Sequence, residues 1–240
     1  MLLLDVGNSR CKWAWSENGN WLRQGAFNNT DTAAWQKLKD TFSSLPAPQK
    51  ILLSNVAGAA MEQNVREACA VWTVPLERLV AQAEQCGVYN GYETPSQLGS
   101  DRWAALIAAW QRIKGACLVV NCGTATTVDA LSERGEFLGG LILPGVELMQ
   151  RSLLQNTAQL GQESGEPRNF PRNTADAIVS GIIRASTGAV RYQYNLLATQ
   201  SVTHCILSGG AAGSLLPHLD VQAERVDNLV LQGMQIIGMS

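Results

Sequence analysis

Three short stretches of the chain carry the side chains able to do chemistry. The first is the turn Asp5-Val6-Gly7-Asn8-Ser9, which puts a carboxylate at the end of an apolar run and small polar residues after it. A carboxylate so placed can hold a hydrated Mg²⁺ between phosphate groups. Asn8 and Ser9 can donate side-chain and backbone hydrogen bonds to phosphate oxygens. Lys12 adds a counter-charge if strand alternation turns it toward them. Asp5 can equally cap its own turn. The second stretch, Asn121-Cys122-Gly123-Thr124-Ala125-Thr126-Thr127, repeats the design with three hydroxyls. Thr124 is its candidate phosphate contact, and Asp129 can face either a cleft or solvent. The third stretch, Gly91 to Arg102, brings together Tyr92, a glycine that permits close contact (Gly99), Ser100, the carboxylate of Asp101 and the guanidinium of Arg102. Ser100 or Asp101 can also simply cap a helix, with Arg102 pairing at the surface.

The two turns belong to a repeat. Leu3–Leu22 (LLDVGNSRCKWAWSENGNWL) and Val119–Leu138 (VVNCGTATTVDALSERGEFL) overlay without a gap, matching Gly7 with Gly123, Ala14 with Ala130, Ser16-Glu17 with Ser132-Glu133, Gly19 with Gly135 and Leu22 with Leu138. Each copy reads as strand, Gly turn, strand, Gly turn, strand. Such turns can aim backbone N–H groups at phosphate oxygens, because glycine permits the tight path and the close approach. Two of one design point to a shared cleft. Ser208-Gly209-Gly210, after a further apolar strand, fits a place where an adenosine lies against glycine backbone. The chain has no G-x-x-x-x-G-K-[ST], and no G-x-G-x-x-G opens a helix after its first strand, so neither a P-loop nor a Rossmann dinucleotide site is supported.

Positioning these groups requires an α/β frame. Apolar runs and turn residues predict strands near 2–6, 10–16 and 21–27, with Asn18-Gly19 as the second hairpin turn. Asp31 is a candidate N-cap for a helix to about Phe42. Strands at 50–54 and 71–74 flank a helix over 59–70, and 86–100 reads as an ordered loop before a helix over 100–114. The second part predicts strands near 117–121, 125–131 and 136–143, then a helix from Pro144-Gly145 to about Gln155. Residues 161–172 lack any apolar period and read as a long loop. Asn173-Thr174 caps a long helix, in which Ile178, Ile182, Ile183, Val190 and Leu197 suit core and partner contacts together. A strand at 203–207, a helical stretch and a last helix near 228–238 close the chain. The order is βββαβα, twice, with helices outside two sheets. The boundary falls between residues 115 and 116, giving halves 1–115 and 116–240.

Composition narrows the partners. With 46% hydrophobic and 16% charged residues, the 240-residue chain is an ordinary globular protein able to bury a sizeable core. A net charge of −2 supplies no basic footprint for nucleic acid and no polybasic membrane patch. The apolar start stops at Asp5, too short for a signal segment, and no run approaches a membrane span. The expected location is the cytoplasm. Six cysteines without a C-x-x-C pair, alongside two histidines, predict reduced, mostly buried thiols and no zinc site.

Taken together, DVGNS at 5–9, GYxxPxxLGSDR at 91–102, CGTATTxD at 122–129 and GGLILPG at 139–145 resemble the type III pantothenate kinases, a family related to the Bvg accessory factors. The resemblance spans nearly the whole chain. It implies the acetate and sugar kinase/Hsp70/actin (ribonuclease H-like) fold, ATP and Mg²⁺, and conversion of pantothenate to 4′-phosphopantothenate, the first step of coenzyme A synthesis. Carried over by residue, it implies ATP contacts from Asp5, Val6, Gly7, Asn8, Ser9, Arg10, Cys11, Lys12, Thr124, Gly209 and Gly210. It likewise implies a pantothenate pocket of Tyr92, Gly99, Ser100, Asp101, Arg102 and Thr174, with Asp101 as catalytic base and Mg²⁺ held near Asp5 through ATP. It further implies a homodimer with the pocket at its interface, and a monovalent cation, K⁺ or NH₄⁺. The sequence departs from the family at Asn121, where an Asp usually helps hold that cation, and at Ser208, where Thr is commoner. The alternatives are a non-catalytic accessory protein on the same scaffold and a kinase for another small alcohol.

Overall fold

The computed structural model describes residues 1–156 and 165–240. The chain divides into two compact units, one of Met1–Gln111 with Leu229–Ser240 and one of Arg112–Asn228.

The first unit begins β1 (Leu2–Val6), β2 (Arg10–Glu17) and β3 (Asn20–Asn28). It continues with α1 (Thr32–Ser43), β4 (Ile51–Asn55), α2 (Ala59–Cys69), β5 (Leu76–Arg78), the small hairpin β6 (Glu84–Gln85) and β7 (Val88–Asn90), and α3 (Ser100–Ile113). Five of these strands form a sheet in the order β3-β2-β1-β4-β5. β2 runs antiparallel to both β1 and β3, while β1, β4 and β5 are parallel. The central strands LLLDV and ILLSN are buried on both faces, which is why they read as continuous apolar runs without alternation. The pleat sorts them. Leu2, Leu4 and Val6 join Leu38 and Phe42 of α1 and Val65 of α2 in one core, so Leu3 and Asp5 face the opposite side. Four aromatic rings brace that core: Trp13 meets Phe42 edge-on at 5.6 Å, and Trp72 packs against both Phe42 and Trp15.

The second unit contains β8 (Cys117–Cys122), β9 (Ala125–Leu131), β10 (Glu136–Pro144), α4 (Val146–Asn156), α5 (Thr174–Ala198), β11 (His204–Ser208), the short α6 (Ala212–Leu215) and β12 (Glu224–Arg225). Its strands follow the topology of the first unit: β10-β9-β8-β11-β12, antiparallel in the first three and parallel from β8 onward. The last helix, α7 (Leu229–Met239), packs on β1, β2 and β4 of the first unit. It also approaches α3 so closely that a Cβ on Gly233 would overlap the backbone of Ala104.

The repeat is real in space, with one internal slip. Val6 pairs with Cys11 across the first turn, but Cys122 pairs with Thr126 across the second. The second copy's first turn is thus one residue shorter. Its next turn compensates. Glu17 and Asn20 close a two-residue loop through Asn18 and Gly19, both at positive φ, whereas Ser132 N–H reaches Glu136 O across three residues. The third strands therefore return to the ungapped alignment, and each carries a register shift at the matched leucine, Leu22 and Leu138.

Two further expectations change in detail. The strand expected at 71–74 lies at 76–78, directly after Pro75, while Trp72 and Val74 pack on the core as irregular chain. The expected loop at 86–100 holds β7 and a single 3₁₀ turn at Pro95–Gln97. Asp31 and Asn173 are N-caps as expected, accepting from Ala34 N–H and Asp176 N–H. Of the expected loop at 161–172, positions 161–164 lie outside the described residues.

Candidate functional site

In the first unit the two chemistry-bearing stretches converge. Asp5 is the penultimate residue of β1, with Lys12 opposite it on β2 and Ser54 opposite it on β4. All three side chains share the sheet face that does not hold the α1–α2 core. Asp5 is buried. Burial pushes its carboxyl up to about 7, and the nearby Asp101 charge acts the same way. Lys12 and a hydrogen bond with Ser54 oppose them. Ser54 in turn shares a buried 2.9 Å hydrogen bond with Ser100 Oγ. Ser54 thus ties the end of β1 to the start of α3. No sequence signal marked it, because a lone serine closing a buried strand has no motif.

The turn after Asp5 closes by Gly7 N–H donating to Arg10 O at 3.0 Å. Asn8, Ser9 and Arg10 are exposed, while Val6 is fully buried. Cys11 points into the core, where burial drives its thiol far above the ordinary range. Its side chain is therefore unavailable to a ligand, and only its backbone remains.

At the head of α3, Asp101 Oδ1 accepts from Arg102 N–H at 2.8 Å. The carboxylate folds back over Gly99, where a Cβ would stand 2.6 Å from Oδ1. That close approach accounts for the glycine. Burial raises the Asp101 pKa, while the Arg102 N–H and guanidinium pull it down. Arg102 is itself buried, and its Nη1 donates to Tyr92 Oη at 2.9 Å. Tyr92 is held by an Asx turn, its N–H donating to Asn90 Oδ1 at 3.1 Å. Tyr92, Gly99, Ser100, Asp101, Arg102 and Asp5 thus gather in one unit.

The second unit assembles glycines around its own turn. Gly123 N–H donates to Ala125 O at 3.0 Å, matching the Gly7 bond of the first copy. Gly145 N–H donates to Thr124 O at 2.9 Å, and a Cβ on Gly145 would overlap Gly123 O. On the other side Gly209, at φ +96°, lies against the Cys122 backbone, and Ala211 N–H donates to Cys122 O. Gly209 thus lies against the strand end that leads into the Thr124 turn. Asn121 has Thr127 and Ser208 as its partners on the flanking strands, and the buried Thr127 hydroxyl has no hydrogen-bond partner among the described residues. Thr174 sits exposed at the first position of α5.

The family model for type III pantothenate kinase matches residues 1–196. The chain belongs to that family. A type III pantothenate kinase of Nitrosospira multiformis is 45% identical over 239 residues, spanning 99% of this chain and 90% of the relative. Among solved structures, a proposed Baf family transcriptional activator of Campylobacter jejuni superposes with a TM-score of 0.62 at 24% identity, covering 99% of this chain and 96% of that one. A proposed 2-dehydro-3-deoxygalactonokinase of Sinorhizobium meliloti gives 0.61 at 15%, covering 98% and 96%. The fold is that of the acetate and sugar kinase/Hsp70/actin class. This type III pantothenate kinase is accordingly an ATP-dependent kinase. Among the described residues no helix is long and apolar enough to cross a membrane.

The donors fit a divalent cation delivered with phosphate. Asp5 is a buried carboxylate beside a second one, and a cation would relieve the like charge that raises its pKa. Without a ligand the same burial is a burden on stability. With a folded pKa of about 7 against an ordinary 3.8, the folded protein keeps a proton that the unfolded chain has released. Stability from this group is therefore fully present below the ordinary value and is lost as pH rises toward 7. Asp5→Asn removes that titration. The ligand-free variant should gain on the wild type in thermal melting between pH 4 and pH 8, reaching several degrees at pH 8. An offset that stays constant across this range would refute the assignment.

Proposed function

We propose that Asp101 is the general base with which this kinase phosphorylates pantothenate. The family supplies the reaction: ATP-dependent conversion of pantothenate to 4′-phosphopantothenate, the first step of coenzyme A biosynthesis. The primary hydroxyl of pantothenate attacks the γ-phosphorus, the bond from that phosphorus to the β,γ-bridging oxygen breaks, and ADP leaves. Asp101 accepts the hydroxyl proton as the new P–O bond forms. The observation that carries this role is the Asp101 carboxylate itself, anchored by Arg102 N–H over Gly99 with its proton affinity raised by burial. A carboxylate of raised pKa is the stronger base, and its fixed position supplies the orientation on which phosphoryl transfer depends.

The other roles follow from placement. The turn from Asp5 to Lys12 and Thr124 bind the ATP phosphates, with Val6 and Cys11 contributing backbone only. Gly209, whose close packing leaves no room for a side chain against the Cys122 backbone, and the adjoining Gly210 receive the adenosine. Mg²⁺, held by Asp5 through ATP, would neutralise charge on the phosphates. Tyr92, Gly99, Ser100, Arg102 and Thr174 bind pantothenate. Arg102, steadied by Tyr92 Oη, pairs with the substrate's carboxylate. The accessory-protein alternative is not favoured, since the curated relatives are kinases.

Two finer readings complete the proposal. The cation near Asn121 is held weakly, because neutral oxygens replace a carboxylate there; the Thr127 hydroxyl beside Asn121, unpartnered among the described residues, is a second neutral ligand. The active form is a cytoplasmic homodimer. Of the apolar residues expected to serve core and partner together, Ile182, Ile183, Val190 and Leu197 are buried in the chain's own core and Ile178 is half-buried. Tyr192 and Leu196 on the same helix, at 64% and 47% exposure, are the better candidates for that contact. The sequence also suggests that residues 154–160 reach a neighbouring subunit's pocket near Tyr92; of these, 157–160 lie outside the described residues.

The purified chain should release ADP from ATP only when pantothenate is present, with Mg²⁺ and K⁺ or NH₄⁺ supplied. Silence at millimolar pantothenate would sink the kinase reading. Asp101→Asn should cut kcat by roughly 10²-fold or more while calorimetry still detects pantothenate; near-normal turnover would leave Asp101 as a helix cap. Asn121→Asp should shift K⁺ or NH₄⁺ activation to lower concentrations, since hard-cation sites gain from anionic oxygen, and an unmoved activation curve would dismiss position 121. Sedimentation at micromolar concentration should give about twice 25.9 kDa, and a fully active monomer would dismiss the dimer.

A further inference from the structure

The turn between β1 and β2 can receive phosphate only if its carbonyl oxygens point elsewhere. A peptide group has a positive N–H edge and a negative C=O edge, and a carbonyl facing an anion would repel it. In this chain the carbonyls of Val6, Gly7, Ser9 and Arg10 are each engaged within the protein. Val6 O accepts from Val56 N–H at 3.0 Å, and Arg10 O accepts from Gly7 N–H at 3.0 Å. Two more, those of Gly7 and Ser9, lead to a single residue. Gly7 O accepts from Asn29 Nδ2 at 2.5 Å, and Ser9 O accepts from Asn29 N–H at 3.0 Å.

Asn29 is well fixed for this task. It follows β3 and is buried. Its own carbonyl accepts from Trp35 Nε1 at 3.0 Å, and the Trp35 ring stands edge-on to Phe27 at 4.9 Å. Trp35 belongs to the first turn of α1, whose start Asp31 caps. The orientation of the amide is decided by chemistry: a flip would set Oδ1 against Gly7 O, two acceptors face to face. In the orientation found, Oδ1 is buried without a hydrogen-bond partner among the described residues. A native structure rarely keeps an unpaired buried acceptor without a reason. Folding stability alone does not favour an amide here, but the need to restrain the Gly7 carbonyl does.

We propose that Asn29 is a positioning residue for the phosphates of ATP, drawing the Gly7 and Ser9 carbonyls into the protein and so keeping their negative edge away from the nucleotide. This rests on the reading of Asp5–Lys12 as the nucleotide turn. Asn29 itself need not touch ATP. It acts on one substrate only, because its partners lie in the turn and not in the Tyr92–Arg102 segment.

The test compares the full-length wild type with Asn29→Ala and Trp35→Phe. Calorimetry would measure Mg²⁺ with a non-hydrolysable ATP analogue, and steady-state ADP release would give KM for ATP and for pantothenate. In Asn29→Ala, the Kd of the analogue and the KM of ATP should rise about tenfold, on the scale of one lost hydrogen bond, with KM for pantothenate within about twofold of wild type. Trp35→Phe keeps an aromatic ring against Phe27 and removes the Nε1 donor with part of the indole, so it should weaken nucleotide binding in the same selective way by about two- to threefold. If Asn29→Ala fails to fold, Trp35→Phe decides alone. Unchanged nucleotide affinity, or equal losses for both substrates, would overturn the assignment. A wild type that binds the analogue but releases no ADP with pantothenate would overturn the kinase reading instead, leaving the calorimetric comparison to judge Asn29.

Discussion

The arrangement depends on a carboxylate kept where water would not leave it. Asp5 stands next to last in a strand whose other residues are all apolar and buried, and a second carboxylate, Asp101, approaches it from the head of α3. Bringing like charges together out of solvent is unfavourable, and proteins tolerate it chiefly at functional sites. The surrounding structure answers the constraint piece by piece. Lys12 stands opposite on β2, Ser54 reaches across from β4, and Ser100 extends the link to the helix. None of these neutralises the pair. The unit is folded around a charge deficit suited to a cation that accompanies phosphate.

That constraint also explains why rigid scaffolding surrounds small polar groups. α7 comes from the far end of the chain to cover β1, β2 and β4, and Gly233 lets it lie directly on α3. Trp13, Phe42 and Trp72 lock the opposite sheet face. With both faces held, the Asp5 end of β1 and the Asp101 end of α3 have little freedom to relax apart. Preorganisation of this kind is what phosphoryl transfer asks of a protein that does no covalent chemistry of its own.

Much of this was visible in the amino-acid letters because it used local signals. The Gly turns, the caps at Asp31 and Asn173, the strand runs of β1, β4 and β8, and the Tyr92–Arg102 segment all announce themselves by composition and spacing. What stayed hidden depended on distant partners. Ser54 and Asn29 are ordinary polar residues at strand ends, and their importance lies in Ser100 and Gly7, which the sequence keeps 46 and 22 residues away. The strand placed at 71–74 was misassigned for a related reason. Trp72 and Val74 are apolar because they fill the aromatic core, and the pairing edge forms only after Pro75. The apolar positions of α5 signalled burial correctly but could not say whether the burial was against its own sheet or a second chain.

The compensating turns of the two copies change which residues are relatives of which. Written in letters, Lys12 falls beside Val128. Paired in space, Lys12 sits across from Asp5 and Thr127 sits across from Asn121. The true counterparts are thus a charged pair in one copy and a neutral pair in the other. Every residue of the middle strand is displaced by one step, which for an extended chain means the opposite face. A graft that exchanged the two hairpins at their matching letters would turn buried side chains outward. One that cut before the first turn and after the second would carry each strand with its own phase intact. The two copies thus differ by the place of a single residue, at the first turn in one and at the second turn in the other, so that one hairpin pairs charged groups and its twin neutral ones at equal length.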